Sequence, residues 1–204
     1  MKEIFVKLLL NYTNNIGVIN ELWTEIELNY SSKNRHYHSL SHLENLFTQL
    51  SEIKDEIQNW EAILFTLFYH DIVYNSQGLD NEEKSAELAE LRMRQIAVDD
   101  DTMALCKAQI LATKSHLKST HSDTNYFTDA DLSVLGQSWD IYSLYANNVR
   151  KEYSIYADLI YNPGRQKVLN HFLSLESIFK TDFFYHKFEK QAKQNLQREI
   201  EMLG

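Results

Sequence analysis

The 204-residue chain has little turn punctuation, with one proline and five glycines. Many short strands joined by tight turns are therefore unexpected, and an all-helical fold is favoured. A single cysteine, Cys106, excludes an internal disulfide framework and a cysteine-based zinc site. It follows the apolar residues Met103, Ala104 and Leu105, where a buried, inert thiol is expected. Basic charge is scarce: 20 Lys and Arg against 29 Asp and Glu give a net charge of −9. No concentrated basic face is visible, which speaks against binding a nucleic-acid polymer by phosphate neutralisation. No apolar run approaches the roughly 18 residues of a membrane span. The stretch 1–10 is apolar, but Lys7 interrupts it and no small-residue cleavage site follows, so it does not read as a signal peptide. A cytoplasmic protein with no membrane association is the expectation.

What is present is helical patterning. Hydrophobic residues make up 44% and charged residues 24%, close to the averages for a globular domain, so disorder of the whole chain is excluded. Apolar residues recur at three- and four-residue spacing through most of the chain. The pattern predicts helices near 2–15, 17–30, 38–52 and 56–70. The last of these is apolar nearly all round in its second half and should be a central buried helix. Further helices are expected from about 81 to 97, after an Asp or Asn cap, and from 101 to 114, opened by Asp99, Asp100 and Asp101. A polar loop over 117–128 should lead to a short helix near 130–135 that Gly136 ends. Helices near 138–159, 163–178 with Pro163 in the first turn, and 182–203 complete the chain. A single domain over 1–204 is expected, with a core at about 17–137 and the helices of 138–204 packed on it. Five tyrosines (Tyr142, Tyr145, Tyr153, Tyr156 and Tyr161) cluster in the C-terminal third and make a homodimer contact plausible.

The eight histidines are uneven. His36, His38 and His42 fall within seven residues, and His70 stands beside Asp71 at the end of the most apolar helix. An ionised Asp at the end of such a helix needs a partner or a metal. Adjacent helix positions differ by about 100°, so His70 and Asp71 reach one ion only off the helix terminus. The pair reads equally as a hydrogen-bonded cap. His38 and His42, four apart, share a helix face and suit two imidazoles on one metal, or one ligand and one neighbouring donor. There is no His-Glu-x-x-His and no Glu-x-x-His, so a zincin protease is not supported and a ferritin-like di-iron bundle is argued against. Asp129 and Asp131 follow much later, and Asp129 is also a candidate helix cap. Imidazole and carboxylate ligands with open positions suit Mn, Fe, Ni, Co, Zn or Mg in hydrolysis.

In this order the residues resemble the HD superfamily of metal-dependent phosphohydrolases, an all-helical class with a His…His-Asp…Asp pattern. The likeness is to a bacterial branch of predicted HD phosphohydrolases of about 200 residues. It rests on Arg35 to His42, on Phe68 to Tyr74, on Asp80 to Ala86 and on Ala112 to His116. It continues through Phe127 to Gly136, Val149 to Tyr153, and Gly164 with Arg165, and so spans most of the chain. The resemblance implies an HD-domain helical bundle with additional C-terminal helices. It implies His42, His70, Asp71 and Asp129 as metal ligands, His38 beside them or on substrate, and His116 as an extra phosphate-contacting histidine. Asp71 is followed by Ile72-Val73-Tyr74-Asn75, so the HD-x-x-Glu-Asp and HD-GYP elaborations are absent. That speaks against alarmone hydrolysis and cyclic-dinucleotide cleavage.

The expected activity is hydrolysis of a small phosphorylated substrate, a phosphate ester or nucleotide, by a metal-activated water. Glu82, in a first helical turn, is the candidate to orient or deprotonate that water, alongside Asp71. An acid favoured by the helix dipole is an equal reading for Glu82. Arg35, Lys114 and Arg165 are candidate phosphate clamps, and each also reads as a solvated surface charge. The competing classes are a non-catalytic metal- or nucleotide-binding HD module, a structural protein with buried histidines, and an oxygenase needing His116 and His121 at the pocket.

Overall fold

Side-chain caps set several of the helix boundaries. In the computed structural model, which describes residues 1–204, Asn15 accepts the N–H of Val18 at 3.2 Å and starts a helix. Asn59 does the same for Ala62 at 2.9 Å, and Asp99 for Thr102 at 2.8 Å. The ten α-helices are α1 (Lys2–Leu9), α2 (Ile16–Tyr30), α3 (Leu40–Glu52), α4 (Trp60–Tyr69), α5 (Asn81–Gln95), α6 (Asp100–Ala112), α7 (Ser122–Leu132), α8 (Trp139–Glu152), α9 (Asp158–Ser174) and α10 (Asp182–Leu203). Two short 3-10 helices, Lys54–Glu56 and Ser133–Gly136, and no strands complete an all-α fold. No helix is long and apolar enough to cross a membrane.

The chain divides into two compact units, Met1–Thr128 and Asp129–Gly204, and the division falls inside α7. In the first unit α4 is the hub, packed against α1, α3, α5 and α6. Residues 62–69 are all buried, as the continuous apolar pattern predicts. Phe5 of α1 meets Phe68 edge-on at 4.8 Å. Each large side chain buried in this way contributes about 1.5–3 kcal/mol. Cys106 is fully buried, and desolvation pushes its thiol up to about 12. The folded protein should therefore be inert to a thiol reagent such as DTNB and react stoichiometrically only after denaturation.

Two elements depart from the sequence pattern. The expected polar loop over 117–128 is helical from Ser122, because its polar residues are buried in use rather than solvated. Asp123 accepts the N–H groups of Gln58 at 3.0 Å and Asn59 at 2.8 Å. Thr128 donates to the carbonyl of Thr124 at 3.0 Å. The second departure is α9, which begins at Asp158, so Pro163 lies inside the helix rather than in its first turn. Pro163 is exposed, so the carbonyl that its missing N–H leaves over can be solvated.

In the second unit α10 packs along Ser133–Gly136 and α9, and α8 packs on Ser133–Gly136. Gly136 makes the close approach possible: a Cβ there would lie 2.4 Å from Phe188 Cβ and 2.7 Å from the Phe188 carbonyl oxygen. Backbone cannot yield as a flexible side chain can. Gly136→Ala should lower stability by about 1–3 kcal/mol in a urea titration.

Candidate metal centre

The most apolar helix ends by delivering two adjacent polar residues. His70 caps α4 with helical backbone, its N–H bonded to the Thr66 carbonyl at 2.8 Å. Its ring is 1% exposed, and His42, in the first turn of α3, is 4% exposed. His42 Nε2 approaches His70 Nε2 to 3.1 Å. Asp71 Oδ2 lies 3.1 Å from His70 Nε2 and 3.8 Å from His42 Nε2. His38 Nε2 stands 3.9 Å from the same oxygen. The adjacent His70 and Asp71 thus converge off the helix terminus, as helix geometry demands of neighbours that serve one point.

Tautomers decide what this convergence means. His70 Nδ1 lies 3.1 Å from the Leu67 carbonyl, which can only accept, so Nδ1 carries the proton. In the neutral ring Nε2 then presents a lone pair to His42 and Asp71. A proton donated by His42 Nε2 satisfies the approach of the two imidazoles. A divalent cation satisfies all of them at once, and the Leu67 bond is the kind of contact that orients a metal-ligating imidazole.

The supporting residues hold these groups still. Phe127 meets the His70 ring edge-on at 5.5 Å. Arg35 donates to the carbonyls of Asp71 at 2.6 Å and Ile72 at 2.7 Å, with its guanidinium over the rings of Tyr30 and Tyr74. Tyr30 Oη accepts the Asp71 N–H at 3.3 Å, and Ser85 accepts the Val73 N–H at 3.1 Å. The turn after α4 is therefore fixed from α2, α5 and the loop carrying Arg35. His38 stacks on Tyr74 at 4.1 Å.

The fourth expected ligand, Asp129, is engaged elsewhere. Its oxygens accept the N–H groups of Lys180 at 2.9 Å and Thr181 at 2.8 Å, and the Thr181 hydroxyl at 2.7 Å. The acid grouped with the imidazoles is Asp131: ligand atoms of His42, His70 and Asp131 all lie within 4.8 Å of one another. Helix phase explains the exchange. Asp131 is four residues past Phe127 and so on its face, whereas Asp129, two residues past, is about 200° away. This buried His/His/Asp group can hold a metal ion, and with the all-helical architecture it fits an HD-type fold.

The expected anion clamps are likewise occupied. Arg35 holds backbone carbonyls as described. Lys114 donates to the Leu79 carbonyl at 2.8 Å and to Glu83, and stands 3.9 Å from Glu82. Its ammonium holds the Glu83 carboxyl below the usual range. Arg165 is buried and doubly bonded to Glu199, at 2.8 and 3.0 Å, where Tyr142 Oη also donates. His116 adopts a left-handed backbone, φ 52, just beyond α6, a conformation open to His at modest cost. Glu82 is in the first turn of α5 with its side chain 27% exposed. One cation escaped the reading of the sequence: Lys180, whose side chain is 5% exposed beside Asp129. No charge run or motif marks it. Comparison with protein-family models, curated proteins and solved structures returns no match.

The two acids are separable by experiment. Asp131→Asn should weaken Mn2+ binding at least about tenfold in equilibrium dialysis while leaving the fold intact. Asp129→Asn should instead lower stability by about 3–5 kcal/mol in urea, because it leaves the buried Lys180 charge uncompensated.

Proposed function

We propose that this protein is an HD-type metal-dependent phosphohydrolase acting on a small phosphorylated substrate such as a nucleotide or phosphate ester. The observation that carries the reading is the convergence of His42, His70 and Asp71, completed by Asp131, around a point that calls for a cation. A divalent ion held there, of the class Mn, Fe, Ni, Co, Zn or Mg, supplies a Lewis acid and lowers the pKa of a water towards about 7. The chain's own residues do the rest. His70, locked by Leu67 and Phe127, presents Nε2 in a fixed direction. Asp71 contributes negative charge and is held by the backbone contacts of Arg35 and Tyr30. Glu82 orients the attacking water and takes its proton, and His38, at the edge of Asp71, meets the substrate.

A second reading is a module that holds a metal or nucleotide without turnover. It is favoured by one observation: Arg35, Lys114 and Arg165 all have acceptors within the protein already. The two readings part on a phosphate-release screen of nucleotides and phosphomonoesters with Mn2+, Ni2+, Co2+ or Mg2+. Turnover with at least one substrate is expected, and His70→Ala and Asp71→Ala should each lose both metal and turnover. Glu82→Gln should keep its metal and slow the reaction by about 10²–10⁴-fold. Full metal retention in both first variants removes the proposal, and metal binding without turnover across the panel selects the module.

A further inference from the structure

We propose that Tyr74 is a positioning residue that aims His38 at the open side of the metal centre, where a phosphoryl group is met. The inference rests on the phosphohydrolase reading and deepens it, from the group that meets the substrate to the group that holds it in place. The side chains of His70 and His42 are 1% and 4% exposed, and those of Asp71 and His38 are 19% and 20% exposed. A substrate arriving from solvent therefore meets the Asp71 and His38 side first. His38 Nε2 stands 3.9 Å from Asp71 Oδ2, too far for a hydrogen bond, so this contact does not by itself fix the direction of the ring.

Stacking supplies what that contact lacks. The rings of Tyr74 and His38 lie 4.1 Å apart with their planes 28° from parallel, and Tyr37 meets the same imidazole edge-on at 5.0 Å. A stacked neighbour fixes the plane of the imidazole and so the line along which Nε2 points. Tyr74 is itself well anchored. It lies three residues past Asp71, and the Ser85 hydroxyl accepts the N–H of the intervening Val73 at 3.1 Å and donates to its carbonyl at 3.3 Å. Arg35 donates to the carbonyls of Asp71 at 2.6 Å, Ile72 at 2.7 Å and His38 at 3.4 Å, and its guanidinium lies over the Tyr74 ring at 5.6 Å. One cation thus ties together the acid, the stacking ring and the backbone of the histidine. His38 covers the face of Tyr74 on which it stacks, so a substrate ring would reach that face only by displacing it. Tyr74 acts on substrate through His38, by holding a reactive group in one geometry before substrate arrives.

Inorganic phosphate is the probe, in a double-mutant cycle on the full chain with Tyr74→Leu, His38→Ala and the two together; Tyr74→Met stands in if the leucine variant does not fold. Mn2+ affinity should stay within about threefold in the Tyr74 variants. Phosphate affinity of the Mn2+-loaded protein should fall about tenfold in Tyr74→Leu and in His38→Ala. The double variant should bind phosphate no more weakly than His38→Ala alone, because a positioning residue has nothing left to position. Tyr74→Phe, which keeps the stacked ring, should restore the affinity. In the metal-free protein, the NMR ring-proton signals that His38→Ala removes should move downfield in Tyr74→Leu and stay in place in Tyr74→Phe. Additive losses in the cycle, unmoved His38 signals, or parental phosphate affinity in a folded Tyr74→Leu each overturn the proposal. So does a parent that binds Mn2+ but no phosphate, and that result leaves the metal centre standing. The expected cycle without turnover in the substrate panel keeps the positioning role and sinks only the phosphohydrolase reading. A parent that binds none of the candidate metals sinks both.

Discussion

Where α4 stops, the lone pair of His70 faces His42 Nε2 and an Asp71 oxygen, each 3.1 Å away. Nitrogen and carboxylate oxygen atoms gathered at that spacing favour a cation among them, and both imidazoles are buried. The surroundings do not let the ring rotate away. Leu67 fixes its tautomer, Phe127 its plane, and Arg35 with Tyr30 the backbone of Asp71. Such rigidity is what a binding site for a cation needs and what a simple helix cap does not.

The apolar character of α4 is the source of this constraint. A helix buried on every side carries its last residue into the interior, so a polar residue there has no solvent to turn to. The sequence makes that much readable: a run of Ile63, Leu64, Phe65, Leu67 and Phe68 that ends at His70-Asp71. His42 is readable too, as a histidine in the first turn of an amphipathic helix. Asp131 is harder to find. Choosing it over Asp129 requires the phase of α7, and α7 reads as a loop because Ser122, Asp123, Thr124 and Asn125 carry no apolar signal. Their helical state comes from tertiary bonds, Asp123 to the start of α4 above all. Once Phe127 is known to face His70, the acid one turn on is the one that shares its face.

Charged residues were the least legible part of the chain, because sequence does not reveal a side chain's partner. Arg35 looks like an anion clamp and serves as a brace, its fork matched to two successive carbonyls. Lys114 secures Leu79 and Glu83 near the start of α5. The net charge of −9 therefore says little about the field inside the site, which local ions and a few buried groups set.

The second unit contains two buried cations that burial affects differently. Arg165 and Lys180 are comparably buried, and desolvation pulls both pKa values down. For Arg165, Tyr145 and the bonds and charge of Glu199 outweigh that pull and hold it well above its usual value. For Lys180, attraction to Asp129 does not offset desolvation, and its pKa lies below the usual value. The difference lies in geometry rather than depth. A planar guanidinium meets Glu199 with two parallel bonds, while the Lys180 ammonium meets a carboxylate whose oxygens backbone and hydroxyl donors already engage. Arg165 is complete within the protein, and a further anion would gain nothing from it. Lys180 keeps a single-point ion pair with Asp129, and burial outweighs it.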